Sequence, residues 1–482
     1  MKHNYLKRNH VSRSFTSTDY RTIYNYPSPS LSSEVVVGII SFGGGVYGDI
    51  NSDGYLLNGD IHQYLSGLNL PIPTIMVTTI MDGQLDITDE GATIENTMDI
   101  QMIAGCCPSS QLTIILYVAS QNVSFYDAFN YMLTVPVNGK LPTIISCSWG
   151  MTENFVSDLF ETNELFKSAR LRGINICTAT GDYGSTNGIN YKNQNFCDFP
   201  SSSPNVIACG GTTLICPNYK YDNQTKEYTW NNGGGGISRY FKKSEYQLIQ
   251  KTNRNTPDIA MNADPETGVS FLVNGEYMTV GGTSIVAPAF AAYIACCKFN
   301  DRFIIPYIYK YSNTFRDIIK GNNGGYKALP GFDRCTGVGS LNGIRFYNSI
   351  INGSIKTLNN KIIINKEKYS EYDGNYSIVS YILSNNKAYV KEKNGNIFKI
   401  IGVKPGTVQF TITLDNGSQI SKTFIIIKQY IIKISKNHKV KLTNWNIPRN
   451  PIVSFTNQII TPIKQGQITI SKPHQELIIQ VV

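Results

Sequence analysis

The sequence predicts an α/β domain built on a parallel sheet, followed by an all-β region. Through the first 350 residues, short continuous apolar runs alternate with longer segments of helical periodicity, which is typical of strands buried on both faces. Beyond that point short strands rich in Ile, Val, Thr and Lys alternate with Asn-Gly and Pro-Gly turns. The composition, with 41% hydrophobic and 16% charged residues in 482, indicates a globular chain.

The predicted elements of the α/β part follow one another regularly along the chain. Residues 1–33 are polar and aromatic and are expected to form an extended N-terminal arm. Buried strands are predicted at Val35–Phe42, Thr74–Thr79, Leu112–Val118, Thr143–Cys147, Ile174–Ala179 and Val206–Cys209. Helices are predicted near 58–67, 92–105, 124–134 and 153–172. This order favours a sheet with helices on both faces and a ligand site at the carboxyl ends of the strands.

A domain boundary is predicted near 350–362, where the helical patterns end. The α/β domain then spans 34–350. Residues 362–428 loosely resemble a bacterial Ig-like domain, on the pattern of Gly402–Thr407 before an alternating strand, and 429–482 are expected to form a further small β unit. We expect this β region to carry no catalytic residue and to tether the chain, bind a partner or add stability.

The cysteine spacing, the charge distribution and the N-terminal sequence argue against several classes of protein. The ten cysteines lie between Cys106 and Cys335 without Cys-x-x-Cys spacing, which favours buried thiols and a reducing compartment. No Lys/Arg block suggests nucleic-acid binding, no apolar run is long enough to span a membrane, and Met1–Thr16 lacks the apolar core of a secretory signal. The expected location is therefore the cytoplasm, or the virion if the chain is viral.

The segment Gly281-Gly282-Thr283-Ser284 precedes an apolar run that reads as a buried helix. A serine at such a turn is exposed to substrate near the positive end of the helix dipole, as nucleophilic serines are. Ordinary turn chemistry accounts for the same residues and is the commoner explanation, so a catalytic serine requires a proton acceptor elsewhere in the chain.

Histidine is a poor candidate for that acceptor. His62 is the one histidine in the α/β part, and it is expected on the surface of a helix. Glu95 and Asp99 stand four apart in a helical pattern and so share one face. They are either solvated surface acids or, because their neighbours are apolar, an acid-base pair in which one pKa is raised.

Asp182, in Thr180-Gly181-Asp182, follows an apolar strand. It is either a capping residue of a tight turn or, when protonated, a hydrogen-bond donor to the oxyanion of a reacting carbonyl.

Taken together, these motifs resemble the sedolisins, serine-carboxyl peptidases with a subtilisin-like fold. The segment around Phe199–Pro204 and the glycine run Gly233–Gly236 also match, and the resemblance extends from Phe15 to Asn348. It implies Ser284 as nucleophile, Glu95 as base, Asp99 as its partner and Asp182 as oxyanion donor. It further implies a monomeric endopeptidase acting on protein or peptide substrates at acid pH, with Trp149 lining the site.

Two departures from the family pattern stand beside the resemblance. Ser41 replaces a glutamate that usually extends the carboxylate network, and Phe15–Pro27 resembles the start of the mature enzyme, so that no prodomain is expected here. These departures and the added β region keep open the alternative of a catalytically inactive structural or binding protein. The resemblance itself also allows a tripeptidyl exopeptidase.

The resemblance also implies one structural calcium ion. Its ligands would be the carboxylates of Asp317 and Asp333 and the main-chain carbonyls of Ile318, Leu329 and Gly331. The family often has glycine at the position of Leu329, an exchange that a carbonyl ligand tolerates unless the backbone there needs a positive φ.

Overall fold

The computed structural model describes most of the chain. The described residues are 14–29, 31, 33–189, 194–247, 252–353, 355–356, 361–372, 374, 377–416, 418–434, 440–441, 453–456, 459–462, 466–472 and 475–481. The chain divides into two compact units, Met1–Tyr347 and Asn348–Val482. This division lies close to the predicted boundary between the α/β domain and the β region.

The helices and strands of the α/β part agree with the predicted order. The helices are α1 (Ser17–Ile23), α2 (Asp60–Gly67), α3 (Glu90–Cys106), α4 (Phe125–Thr134), α5 (Leu159–Leu171), α6 (Thr283–Cys296), α7 (Ile305–Lys310) and α8 (Gly343–Asn352). The strands are β1 (Val35–Ser41), β2 (Thr74–Ile80), β3 (Leu112–Ala119), β4 (Ile144–Cys147), β5 (Met151–Thr152), β6 (Asn175–Ala179), β7 (Asp198–Phe199), β8 (Ile207–Ile215), β9 (Lys226–Thr229), β10 (Gly236–Lys242), β11 (Asn253–Thr256), β12 (Ile259–Asn262), β13 (Val269–Val273) and β14 (Glu276–Val280).

One parallel sheet organises the first unit. Its strands lie in the order β12-β8-β6-β4-β1-β3-β2, with every neighbouring pair parallel, and β9 adds antiparallel to β8. All residues of β3 and all but one of β1 are buried, as the continuous apolar runs predict. The predicted α/β fold class is confirmed.

Helices cover this sheet. Phe129 of α4 and Phe166 of α5 join a core with Ile40, Ile145 and Ile176 of the strands. α3 and α6 pack against each other, and α6 also lies against β4, β6 and β8. Every residue of α6 is buried, and its alanine-rich sequence both favours a helix and permits close packing.

The N-terminal segment differs from the predicted extended arm. Residues Ser17–Ile23 form α1, which begins with a capping box between Thr16 and Asp19. The hydroxyl of Tyr20 donates to the carbonyl of Asn262 at 2.9 Å, and that of Tyr26 donates to the carbonyl of Ala289 at 2.8 Å. The described part of this segment therefore packs into the first unit, because its aromatic residues supply buried surface that composition alone did not assign to a core.

The second unit is all-β, as predicted. Its strands are β15 (Ile355–Lys356), β16 (Lys361–Ile363), β17 (Glu367–Tyr372), β18 (Ile378–Leu383), β19 (Ala388–Asn394), β20 (Ile397–Gly402), β21 (Gly406–Leu414), β22 (Gln419–Ile434), β23 (Val440–Lys441), β24 (Val453–Thr456), β25 (Ile459–Pro462), β26 (Gly466–Lys472) and β27 (Gln475–Val481). They form sheets β15-β17-β20-β19, β18-β21-β22-β27-β26 with β16 beside β22, and β23-β25-β24.

The predicted division of this region at 428/429 falls inside a strand. β22 runs through that position and pairs with β21 on one side and β27 on the other. The described strands on both sides of residue 428 thus share one sheet, and the unit is not divided there. Resemblance to an Ig-like domain stays a prediction.

In the part of the chain that the structure describes, no helix has both the length and the apolar character needed to cross a membrane.

Candidate active site

A cavity of about 660 Å³ opens where several strands of the sheet end. Its lining includes Ser148, which follows β4, Asp182, which follows β6, and Ser284, at the start of α6. Glu95 reaches it from α3. The site thus lies at the carboxyl ends of parallel strands, where the α/β prediction placed it.

Ser284 is the second residue of α6 and is 4% exposed. The preceding Gly282 has a φ of 127°, a conformation that side-chain-bearing residues rarely adopt. A Cβ atom added there would lie 2.7 Å from Oδ2 of Asp182. Glycine is therefore required both for the turn and for the close approach of that carboxyl group to the serine-bearing helix.

Asp182 is held beside the candidate nucleophile. Its Oδ1 accepts the main-chain N–H of Thr283 at 2.7 Å and the hydroxyl of Thr283 at 2.8 Å. The Thr283 hydroxyl in turn accepts the N–H of Gly181 at 3.0 Å. A capping residue would stabilise only its own turn, whereas Asp182 connects the loop after β6 with the first turn of α6.

Glu95 and Asp99 are each 1% exposed on α3, which excludes a pair of solvated surface acids. Burial, together with the nearby carboxyl group of Glu95, raises the pKa of Asp99 well above its ordinary value, and a hydrogen bond from Ser148 opposes this shift. The predicted pattern of two close acids, one with a raised pKa, is present in the structure.

Ser148 connects the acidic pair with the serine-bearing helix, a link that the sequence analysis missed. Its hydroxyl lies 2.9 and 3.1 Å from the two carboxylate oxygens of Asp99 and 3.2 Å from the carbonyl oxygen of Ser284. The sequence feature that could have identified Ser148 is its position directly after a predicted buried strand.

Asp198 in β7 is a second residue that sequence reasoning missed. It lines the cavity, and burial raises its pKa to about 7, with further increases from the carboxyl groups of Asp182 and Glu153. Asn187 opposes the shift by donating a hydrogen bond to Oδ1. An acidic residue just before Phe199-Pro200 was visible in the sequence, but its approach to the loop after β6 was not.

Three other residues singled out from the sequence lie near or outside this cavity. Trp149 lines a neighbouring pocket with Phe42 instead of the main cavity. Ser41 is buried, and its hydroxyl donates to the carbonyl of Gly43 at 3.0 Å. His62 lies in α2 as predicted but is half-buried, and burial lowers its pKa.

All ten cysteines are buried free thiols, as the absence of disulfide or metal spacing predicted.

The predicted calcium ligands lie around one loop. Asp317 accepts the N–H of Gly331 at 2.8 Å, and Asp333, which is buried, accepts the N–H of Leu329 at 2.9 Å. Gly331 has a φ of 81°, whereas Leu329 is not among the residues with positive φ, so leucine there causes no backbone strain. Ile318 is buried beside Asp317 in the chain.

This donor set fits a hard cation, since two carboxylates and nearby carbonyls supply oxygen alone. Within the described ranges, no group of three or more His, Cys, Asp or Glu side chains is placed to hold a metal ion. The calcium ligands stay a prediction.

Fold and cavity together define a subtilisin-like α/β domain, and comparison with known proteins identifies its family. A sequence model of the Subtilase family matches residues 78–320. Kumamolisin of Bacillus sp. (strain MN-32) is 30% identical over 370 residues, covering 70% of this chain and 64% of that protein. Sedolisin of Pseudomonas sp. (strain 101) is 28% identical over 367 residues, covering 69% of this chain and 60% of its own length. Tripeptidyl-peptidase sed4 of Aspergillus fumigatus is 25% identical over 328 residues, covering 56% and 53% respectively.

A solved structure agrees with these matches. Pseudomonas sedolisin, a serine-carboxyl proteinase complexed with two molecules of pseudo-iodotyrostatin, has a TM-score of 0.60 at 27% identity and covers 71% of this chain and 99% of that chain. The chain belongs to the subtilase family of serine-type peptidases and, within it, to the sedolisins. It spans less than two thirds of the length of kumamolisin and of sedolisin.

Proposed function

We propose that the chain is an endopeptidase that cleaves peptide bonds through an acyl-enzyme on Ser284. The observation that carries the proposal is the meeting of Ser284, Glu95 and Asp182 at one cavity. Among the described residues that line this cavity there is no histidine, so a carboxylate has to accept the proton of the serine. Membership of the sedolisins supports the same class of reaction.

In the proposed reaction Ser284 Oγ attacks the scissile carbonyl carbon. A C–O bond forms, the serine proton passes to Glu95, and the carbonyl electron pair moves onto oxygen. Collapse of this intermediate breaks the C–N bond, and Glu95 returns the proton to the departing amine. Water then repeats the sequence on the acyl-enzyme and releases the acid and Ser284. Asp99 supports Glu95 from the same face of α3.

Asp182 is the proposed donor to the oxyanion. Its Oδ1 already accepts two hydrogen bonds from Thr283, which leaves Oδ2 as the oxygen that carries a proton. Because Gly282 has no side chain, the space beside Oδ2 that a Cβ atom would occupy stays open. A proton on Oδ2 would make Asp182 a hydrogen-bond donor to the negative charge that develops on the carbonyl oxygen.

Two conditions connect this mechanism with acid pH. Asp182 donates only while it is protonated, and the raised pKa of Asp99 lets it hold its proton over a wider range than an ordinary aspartate. Both conditions are lost as the pH rises, so the rate is expected to fall from acid to alkaline pH.

The test is cleavage of denatured casein at pH 4 and pH 8 by the full chain and by Ser284→Ala. Peptide release at pH 4 that depends on Ser284 and decreases at pH 8 is the expected result. Ser312→Ala is the matched control, because Ser312 is exposed and does not line the cavity. Equal or faster release at pH 8 would overturn the acid preference, and no Ser284-dependent release at any pH would favour an inactive binding or structural protein.

An exopeptidase that releases tripeptides is the second candidate. It is favoured by similarity to proteins named tripeptidyl-peptidase, at 25% to 29% identity. Mass-spectrometric mapping of the products separates the two, because internal fragments indicate an endopeptidase and tripeptides indicate an exopeptidase.

We also propose a structural Ca²⁺ held by Asp317, Asp333 and the carbonyls of Ile318, Leu329 and Gly331. The support is the convergence of both carboxylates on the main chain of one loop. When bound, the ion would neutralise two negative charges and stabilise this loop, and no step of peptide hydrolysis is routed through it.

For the β unit we propose a tethering role towards an acidic partner. Residues 348–482 contain 18 Lys and Arg but only six Asp and Glu, whereas residues 1–347 contain 25 and 28. Concentrated positive charge favours association with acidic surfaces and makes it dependent on salt.

A further inference from the structure

Helix α6 contains a proline one turn after the proposed nucleophile. Pro288 lies four residues after Ser284, and it has no N–H to donate to the Ser284 carbonyl, as an ordinary residue in that position would. The carbonyl belongs to the residue that would attack the substrate. A donor from outside the helix is needed to satisfy it, because the first turn of α6 is buried.

Ser148 is that outside donor. Its hydroxyl lies 3.2 Å from the Ser284 carbonyl oxygen, and 2.9 and 3.1 Å from the carboxylate oxygens of Asp99. A serine hydroxyl has one hydrogen, so it cannot donate to Asp99 and to Ser284 at the same time. Ser148 is 3% exposed, so little water is available to replace the missing bond.

The titratable groups around Asp99 on the described elements are few. Glu95 faces it from the same helix. Burial raises the pKa of the thiol of Cys147, the last residue of β4, and the nearby carboxyl groups of Asp99 and Glu95 raise it further. Among the described residues, no cation stabilises the carboxylate of Asp99, and the hydroxyl of Ser148 is the group that favours its ionised form.

We infer that Ser148 is a positioning residue whose single hydroxyl hydrogen is shared between Asp99 and the main-chain carbonyl of Ser284. The protonation state of Glu95 and Asp99 then determines whether the hydroxyl of Ser148 donates a hydrogen bond to the main-chain carbonyl of Ser284. This inference rests on the proposed peptidase function.

The two protonation states differ in how they satisfy the buried groups. When Asp99 is ionised, the Ser148 hydrogen is drawn to the carboxylate, since bonds to charged acceptors are the stronger ones, and the Ser284 carbonyl has no donor from Ser148. When Asp99 carries a proton, it donates to Ser148 Oγ, and the Ser148 hydrogen turns to the Ser284 carbonyl. The protonated form therefore holds the first turn of α6 in place and links acid pH to nucleophile position.

The first test compares Ser148→Ala with Ser148→Thr, which keeps a hydroxyl. In Ser148→Ala we expect kcat to fall about 10- to 100-fold with KM within about twofold, the size of effect that loss of one buried hydrogen bond to a charged group produces. The alkaline limb of the pH profile should also move to higher pH, because the group that favours ionised Asp99 is gone. Ser148→Thr should restore both. An unchanged pH profile in Ser148→Ala would overturn the inference.

A second test separates the two acceptors of Ser148. Pro288→Ala returns an N–H to α6 that can donate to the Ser284 carbonyl. In the Ser148→Ala background it should recover at least about threefold in kcat but leave the pH shift in place, since that shift belongs to Asp99. Absence of any recovery would show that the carbonyl contact does not position the nucleophile.

A third test needs no activity and so separates failure of this inference from failure of the proposed function. It measures Tm against pH in the Ser284→Ala background. Asp99 has a raised pKa in the folded state, so the native protein binds more protons than the unfolded chain, and stability falls as pH rises above about 4. With Ser148→Ala this fall should continue to higher pH than with Ser148→Thr. Coincident pH windows in the two variants would overturn the inference even if the protein cleaves peptides.

Discussion

Thr283 donates both its main-chain N–H and its hydroxyl to a single oxygen of Asp182, at 2.7 and 2.8 Å. Two donors on one oxygen orient the carboxyl group and distinguish its two oxygens chemically. Because Thr283 immediately precedes Ser284, the arrangement also couples the position of Asp182 to that of the nucleophile.

Replacement of Asp182 tests this arrangement. Asp182→Ala removes the proposed oxyanion donor, and kcat is expected to fall by about 10²–10³. Asp182→Asn keeps an acceptor for Thr283 and places an amide donor at the other position, so it should retain more activity and lose the part of the pH dependence due to Asp182. The measurement is kcat across the acid and neutral range. Activity of Asp182→Ala within threefold of the wild type would contradict the assignment.

The raised pKa of Asp99 predicts a specific pH dependence of stability. Since the folded-state pKa lies above the unfolded one, ionisation of Asp99 destabilises the native state, and stability is lost as pH rises from the unfolded value through the folded value. Asp99→Asn should remove this loss and raise Tm at neutral pH relative to acid pH. Differential scanning calorimetry from pH 4 to pH 8 measures it. Asp53→Asn is the control, because Asp53 is exposed. Parallel curves for wild type and Asp99→Asn would refute the prediction.

Asp198 should make substrate preference change near neutral pH. With a pKa of about 7, it is neutral in the cavity at acid pH and negative above neutrality. Peptides with a basic side chain in this part of the cavity should therefore gain kcat/KM relative to neutral peptides as pH rises through about 7, even if absolute rates fall. Asp198→Asn should abolish the change. Equal ratios in the two proteins at pH 5 and pH 8 would show that Asp198 does not contact substrate.

Removal of calcium tests the loop that contains Asp317 and Asp333. A chelator should lower Tm by several degrees, and added Ca²⁺ should raise it in proportion to the logarithm of its concentration, because the ion binds the folded state. Asp317→Asn should remove this response and Asp222→Asn should keep it. The readout is Tm without substrate. A response that persists in Asp317→Asn would place any bound ion elsewhere.

Truncation tests the β unit. The cut belongs after residue 353, because α8 runs from Gly343 to Asn352 and a cut at the unit boundary would divide it. The shortened chain should keep its rate of peptide cleavage within about twofold but no longer bind immobilised polyglutamate at physiological salt, since the removed part carries 18 Lys and Arg against six Asp and Glu and the retained part has no excess of positive charge. The full chain should bind and be released at high salt. Identical binding, stability and activity of the two forms would remove the proposed role.

Most of the fold could be predicted because its signals are local. A strand buried on both faces has to be a continuous apolar run, so β1 and β3 lie within a residue or two of their predicted positions. α6 was predicted from its long apolar run and α3 from its helical pattern, although α3 buries polar residues such as Gln101 as well as apolar ones. The helix α1 was missed because its buried residues, Ser17, Tyr20 and Ile23, lie among polar neighbours, a pattern that also suits an exposed segment.

The catalytic candidates could be named from the sequence because each lies in a motif of its own: Ser284 behind a glycine turn, Glu95 and Asp99 one helical turn apart, and Asp182 after a strand. Their residue types and order were enough to indicate a serine peptidase without histidine. By itself, the sequence therefore determined the fold class and the family, and it supplied the four side chains that we propose for the chemistry.

Only the tertiary structure decided which other residues contact those four side chains and connect them. Ser148 meets Asp99 and Ser284 across separations of 49 and 136 residues, and Asp198 comes close enough to the loop after β6 for Asp182 to raise its pKa. Such contacts depend on which strands are neighbours in the sheet and where their ends point. No periodicity in the sequence records that, because hydrogen bonds and electrostatic interactions act through space and are indifferent to distance along the chain.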